Sequence, residues 1–161
     1  MLNTIIPNLW FDGQAEQAAA FYLSVFPNSR IVSAARYTEA GPGPAGTVMS
    51  VEFELDGQRF VGINGGPMFT FSEAVSFQIT CRDQEEVDRY WALLTEGGQE
   101  SQCGWLKDRF GLSWQVVPVG MEEVVSDPDP ERARRAVEAM SGMRKLDLAA
   151  LRAAADGVPV S

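Results

Sequence analysis

Residues 4–26, TIIPNLWFDGQAEQAAAFYLSVF, and residues 74–95, AVSFQITCRDQEEVDRYWALLT, read as two versions of one unit: strand, short polar turn, amphipathic helix. In the first, residues 4–11 have strand character, and Pro7 marks an edge position or a bulge because it cannot donate to a ladder. Asp12-Gly13 turns the chain, and Ala15, Ala18, Ala19, Tyr22, Val25 and Phe26 then recur at helical spacing until Pro27-Asn28 stops the helix. In the second, residues 74–81 read as a strand, Arg82-Asp83 leads into a helix over 84–95, and Gly97-Gly98 ends it. Setting Phe21-Tyr22 over Tyr90-Trp91 also sets Glu16 over Glu85 and Ala18 over Val87. The echo is thin as identity and clear as an order of elements.

Each unit continues into further strands. After the first helix, residues 29–38 read as a strand and the Gly/Pro-rich stretch 39–46 as a loop. Residues 47–55 alternate, with Met49, Val51, Phe53 and Leu55 on one side and Val48, Ser50, Glu52 and Glu54 on the other. Asp56-Gly57 is a hairpin turn, residues 58–64 return, and Gly65-Gly66-Pro67 ends the run. After the second helix, polar residues 99–104 lead through Trp105–Gly111 into a strand over 112–118. The pattern predicts an α+β fold of paired β-α-β-β-β modules within one domain of residues 1–161. Module one covers about 1–67, module two about 73–119, and a helical C-terminal extension about 120–161. In the extension, Asp129 is the expected N-cap with Pro130 at the first helical position, and the helix stops near Gly142. A second helix, capped by Asp147, covers Leu148–Ala155. This arm is expected to pack on the sheet or on a second subunit, and exposed sheet edges favour a homodimer.

A chain of 161 residues, 45% apolar and 22% charged, can build one ordinary globular core. The net charge of −9, with no cluster of Lys and Arg, predicts no nucleic-acid partner. It leaves room for a small anionic ligand, since one local cation can outweigh a distant field. No run approaches the roughly 20 apolar residues that span a bilayer. The start, Met1–Pro7, lacks a signal peptide's basic region, so no membrane partner and a cytoplasmic location are expected. Cys81 and Cys103 are too few for a disulfide framework, and without a neighbouring histidine each reads as a buried thiol. Histidine is absent altogether, which removes Ser-His-Asp and Cys-His catalysis and nearly all familiar zinc sites.

Several stretches carry a resemblance. They are Leu9–Glu16 (LWFDGQAE), Phe21-Tyr22, Phe26–Ser29 (FPNS), Gly65-Gly66-Pro67 with Phe69, and Cys103-Gly104-Trp105. Further along come Lys107-Asp108, Phe110–Gln115 (FGLSWQ) and Ser126–Asp129 (SDPD). In this order, over nearly the whole chain, they resemble the PhnB-like branch of the vicinal oxygen chelate (glyoxalase-like) superfamily, often labelled demethylubiquinone methyltransferase-like. The resemblance implies a cupped mixed sheet, commonly a dimer, and in metal-bearing members one ligand on the first and last strand of each module. The corresponding positions here fall near Pro7 or Asn8, near Ser76 or Gln78, near Asn64 and on Gln115. None is histidine or carboxylate, and amide oxygens hold hard cations weakly on their own, so no metal and no cofactor are expected. The label implies S-adenosylmethionine, whose usual site is a Gly-rich turn between a strand and a helix. Neither 41–46 nor Gly65-Gly66-Pro67 precedes a helix at that spacing.

The candidate ligand-binding residues are therefore Asn8, Trp10, Asn64, Gln78, Trp105 and Gln115, amides that orient a ligand and rings that stack on it. Glu52 is the candidate catalytic residue. It shares a strand face with Glu54 about 7 Å away, a pairing that does acid–base work if one carboxyl is desolvated. An alternating polar face of this kind is also simply a solvated one. Trp114 reads as pocket wall or core, Arg109 as an anion contact or, with Lys107-Asp108, as part of an exposed turn, and the 41–46 loop as a lid or a hairpin connection. The function these residues predict is metal-independent binding of a small molecule. A metal-dependent lyase, dioxygenase or transferase with a displaced site, and S-adenosylmethionine-dependent methyl transfer, are the alternatives.

Overall fold

The computed structural model describes residues 4–158 and divides into two compact units after Phe71. Each unit contains a four-stranded mixed sheet with a helix on one face, so the fold is α+β.

In the first unit, β1 (Asn8–Phe11), α1 (Ala15–Val25), β2 (Arg30–Arg36), β3 (Val48–Leu55) and β4 (Gln58–Asn64) give the sheet order β1-β4-β3-β2. β1 runs parallel to β4, and the other pairs are antiparallel. The edge position of β1 agrees with Pro7 just before it, whose carbonyl accepts from Val61 N. One face of α1 is almost entirely alanine: Ala15, Ala18 and Ala19 are fully buried, which lets the helix lie close on the sheet. Larger volume comes from an aromatic column. Tyr22 stacks on Phe53 with centroids 6.2 Å apart, and Phe53 on Phe60 at 5.6 Å. The alternation of β3 holds for Val51, Phe53 and Leu55, which are buried, while Met49 is 37% exposed. Its departure has a local cause, because the β2–β3 register skips Met49 between Ala35 and Arg36 in a bulge. Asp56 and Gly57 both take positive φ (46° and 80°), as the hairpin turn demands.

The second unit repeats the order. β5 (Ser76–Cys81), α2 (Gln84–Thr95), β6 (Gln99–Glu100), β7 (Trp105–Lys107) and β8 (Ser113–Pro118) form the sheet β5-β8-β7-β6, with β5 parallel to β8. Val87, Tyr90, Trp91 and Leu94 are the buried stripe of α2, which begins at Asp83, whose carboxylate accepts from Glu86 N. Trp91 Nε1 donates to Glu100 Oε1 at 2.8 Å, so even the two-residue β6 is tied to the helix.

The extension contains α3 (Met121–Val125), α4 (Pro130–Ser141) and α5 (Leu148–Ala155). The caps of α4 and α5 are as expected: Asp129 accepts from Glu131 N and Asp147 from Ala150 N, both at 2.9 Å. Helix α3 was not expected; it is a single turn beginning after Gly120. Val124, Ala136, Leu151 and Ala155 make a small core of their own. The arm packs on its own module. Cys103 N and Gly104 N donate to Met143 O and Arg144 O, Gln84 brackets Leu146 O and Leu148 N, and Leu146 is fully buried. No helix among the described residues is long and apolar enough to cross a membrane.

Candidate functional site

A strand shows alternate residues to opposite faces, so once α1 and α2 cover one face of each sheet, the other face is the candidate surface. The register says which residues it carries. In the first unit, Leu9 and Phe11 turn to α1, leaving Asn8 and Trp10 on the open face beside Val61 and Ile63 of β4. In the second, Phe77, Ile79 and Cys81 share the helix side with Trp114 and Val116. Ser76, Gln78 and Thr80 therefore share the open side with Ser113, Gln115 and Val117. Trp105 and Lys107 of β7 lie opposite Gln115 and Ser113 and join that face.

On the first open face, Asn8 is exposed, and its amide nitrogen donates to Ile6 O at 3.0 Å. Trp10 is half-buried. Its Nε1 donates to Gly66 O at 2.8 Å, and the ring of Phe69 meets it edge-on at 5.0 Å. A Cβ on Gly65 would lie 2.2 Å from the indole, which explains the glycine there. Asn64 departs from the expected placement. In register with Phe11, it turns to the helix side, where Oδ1 accepts from Ala15 N at 2.8 Å and Nδ2 donates to Val48 O at 3.1 Å. Gln14 offers α1 no side-chain cap, so Asn64 supplies that acceptor from β4. Its backbone carbonyl meanwhile receives the Tyr37 hydroxyl at 2.6 Å.

Glu52 and Glu54 lie on the same face, and each is engaged. Glu52 pairs with Arg59 and accepts from Ser33 Oγ, while Glu54 receives Arg30 at 2.9 and 3.0 Å. Both ladders run across neighbouring strands on a partly covered sheet face, where the carboxylates serve ion pairs. The 41–46 loop is likewise closed on itself: Tyr37 N donates to Thr47 O, Gly46 N to Tyr37 O, and Gly43 packs against the Tyr37 ring. Both Gly-rich stretches are thus spent on aromatic rings.

The second open face carries Ser76, Gln78, Thr80, Ser113 and Gln115. Gln78 stands beside Gln115 in register, and Gln115 Nε2 donates to Ser76 Oγ at 2.9 Å. At its β6–β7 end is a recess of about 110 Å³ lined by Glu73, Gln99, Glu100, Trp105, Lys107 and Ser113 with their neighbours. Lys107 pairs with Glu73 and holds that carboxyl below the usual range, chiefly through its hydrogen bond. Ser113 is 1% exposed, and its Oγ has no hydrogen-bond partner among the described residues. The sequence pointed to Lys107 only as the neighbour of Arg109 in an anion contact or a turn, and not to Ser113. The signal was the β7–β8 hairpin, which sets Lys107 opposite Ser113.

That hairpin also corrects the reading of Lys107-Asp108 as an exposed turn. Asp108 is 2% exposed; its Oδ1 accepts from Phe110 N and Leu112 N at 2.8 and 3.1 Å, and its Oδ2 from Trp114 Nε1 at 2.9 Å. The carboxylate organises the turn and fixes Trp114 in the core. Arg109 is exposed, 3.9 Å from Glu96. Burial pushes the Cys81 thiol up to about 11, so it stays protonated and unreactive at neutral pH.

The donors at the chelating positions do not fit the superfamily's metal. On the second sheet they are two primary amides and a hydroxyl, and on the first the Asn64 carbonyl oxygen already serves a backbone N–H. Among the described residues no group of three or more His, Cys, Asp or Glu side chains converges as a metal site.

The family model for 3-demethylubiquinone-9 3-methyltransferase matches residues 3–117. The PhnB protein of Bacillus cereus is 39% identical over 73% of this chain and 100% of that one, with a TM-score of 0.66. A Pseudomonas aeruginosa protein is 20% identical over 73% of this chain and 98% of that one, with a TM-score of 0.60. The fosfomycin resistance protein FosX of Listeria monocytogenes, in complex with Mn(II) and sulfate, is 13% identical over 78% and 97% of the two chains, with a TM-score of 0.54. These last two are likenesses of fold. No curated protein matched the chain.

Proposed function

This chain belongs to the 3-demethylubiquinone-9 3-methyltransferase family, the PhnB-like branch of the vicinal oxygen chelate superfamily, and on that premise we propose that it binds a small polar molecule without a metal. The observation that carries the reading is the register that sets Gln78 beside Gln115 on the open face of the β5–β8 sheet, with Gln115 braced by Ser76. Primary amides offer donor and acceptor together, so they recognise a ligand's hydroxyl, carbonyl or amide groups where a metal site would need anionic or imidazole ligands. Trp105, across β8 from Gln78, supplies a flat apolar wall, and Asn8 and Trp10 are the corresponding groups of the first module. Asn64 acts as a structural brace in this reading, and Glu52 as a member of an ion-pair ladder. The bound species acts as a homodimer, because the exposed edge strand β2, with Ile31 46% exposed, is the kind of edge a second copy covers.

Methyl transfer, which the family's description names, finds no support in the Gly-rich stretches, which pack on Trp10 and Tyr37. The test compares small molecules released on denaturing wild-type protein and Gln78→Leu and Gln115→Leu variants, each purified with and without a chelator. A compound retained near one equivalent by the wild type and lost from folded variants supports the proposal. Retention that the chelator abolishes, or that neither variant alters, refutes it.

A further inference from the structure

We propose that the recess between β6, β7 and β8 takes the carboxylate of a small organic acid, held by Lys107 and Ser113, with Glu73 occupying the carboxylate's place until the acid arrives; this rests on the ligand-binding reading of the same sheet face. Three observations carry it. First, Ser113 is a hydroxyl taken out of water: 1% exposed, with no partner for Oγ among the described residues, on the wall of the recess. Buried polar groups are nearly always satisfied, and one left open in a cavity wall is poised for a group that enters. Second, Lys107 lies opposite Ser113 across the β7–β8 ladder and both line the recess, so an ammonium and a hydroxyl flank one space, while Glu100 on the same wall is engaged by Trp91 Nε1 and Arg144. A carboxylate has two acceptor oxygens and can take one bond from each. Third, Lys107 already holds a carboxylate, that of Glu73.

The order of exposure shows which partner can leave. The Glu73 side chain is 63% exposed, that of Lys107 33%, and Ser113 lies beneath them at 1%. Glu73 precedes β5 and belongs to no helix or strand, whereas Lys107 and Ser113 are fixed in paired strands. An arriving carboxylate exchanges one ion pair on Lys107 for another and gains the Ser113 hydroxyl, a bond that Glu73 does not make. A volume of about 110 Å³ suits a head group of a few heavy atoms, with the rest of the acid running along Trp105 toward Gln115. One lysine in a chain of net charge −9 favours a monoanion over phosphate or sulfate.

The test is a two-dimensional amide NMR titration of the full chain with sodium acetate, against acetamide, sodium sulfate and a sodium chloride control. Acetate is expected to shift the Lys107 and Ser113 amides and the Trp105 indole saturably, with half-saturation at about millimolar concentration. In Glu73→Gln the competitor is gone, and acetate is expected to bind about two- to five-fold tighter, the fold-change of an exposed ion pair. Ser113→Ala weakens acetate and leaves the response to chloride unchanged. Acetamide binding as well as acetate, or sulfate binding better, overturns the carboxylate assignment while leaving ligand binding on this face intact. No saturable shift with any probe, or no tightening in Glu73→Gln, overturns the proposal outright, while retained ligand lost from Gln115→Leu would still support the broader reading.

Discussion

Ser113→Ala should make the protein more stable, an uncommon outcome for a substitution at a position 1% exposed. A hydroxyl buried without a partner costs about 1–3 kcal/mol in lost hydration. Alanine keeps Cβ and removes only the oxygen, so the packing lost is smaller than that of a methylene, about 0.8 kcal/mol. The difference is a net gain of about 0.2–2 kcal/mol. For a chain of this length, 1 kcal/mol moves the melting midpoint by about 2–4 °C, so a rise of up to about 8 °C is expected. The assay is calorimetry in a carboxylate-free buffer, because a bound acid would satisfy the wild-type hydroxyl and hide the effect. Ser76→Ala is the control: its Oγ accepts from Gln115, so its loss should lower the midpoint. A midpoint for Ser113→Ala that is unchanged or lower would refute the reasoning, because the hydroxyl would then have a partner in solution.

Other expectations follow from single side chains. Asp108→Ala removes the acceptor of two backbone N–H groups and of the Trp114 indole N–H and should cost about 3 kcal/mol by urea denaturation, whereas Asp108→Asn, which keeps an acceptor, should cost less. Gly65→Ala puts a Cβ 2.2 Å from the Trp10 ring and should cost about 1–3 kcal/mol with a change in tryptophan emission; an unperturbed variant would show that the indole is free to move. Asn64→Ala removes the acceptor for the first turn of α1 and should cost about 1–2 kcal/mol while leaving ligand retention unchanged, the reverse of Gln115→Leu. Cys81, with its thiol near 11, should resist alkylation in native protein at pH 8 and react once urea exposes it.

The repeated strand–turn–helix unit was legible because each part has its own local cause. Alternation fixed the face of β3, the Ala stripe fixed that of α1, and Asp129 and Asp147 announced their helices. Strand β7 was not legible: three residues carry too little periodicity, and its place is set by a turn that Asp108 organises from inside. The same turn explains why Asp108 looked exposed in the sequence, where its three donors cannot be seen. Asn64 shows the limit for the site. It stands at the end of a strand beside candidate amides, and only the pairing with Phe11 reveals that it turns to the helix. Ser113 was invisible for a related reason, because an unpaired hydroxyl is a property of its surroundings.

The most direct test of the central claim is a melting series on metal-stripped protein with Mg, Mn(II), Fe(II), Ni, Zn or S-adenosylmethionine. A ligand at 100 times its dissociation constant adds about 2.7 kcal/mol, a rise of roughly 5–10 °C for a chain this size. No rise is expected with any of these; a rise of that size with one metal would show that the amide positions do hold a cation, and with S-adenosylmethionine it would restore methyl transfer.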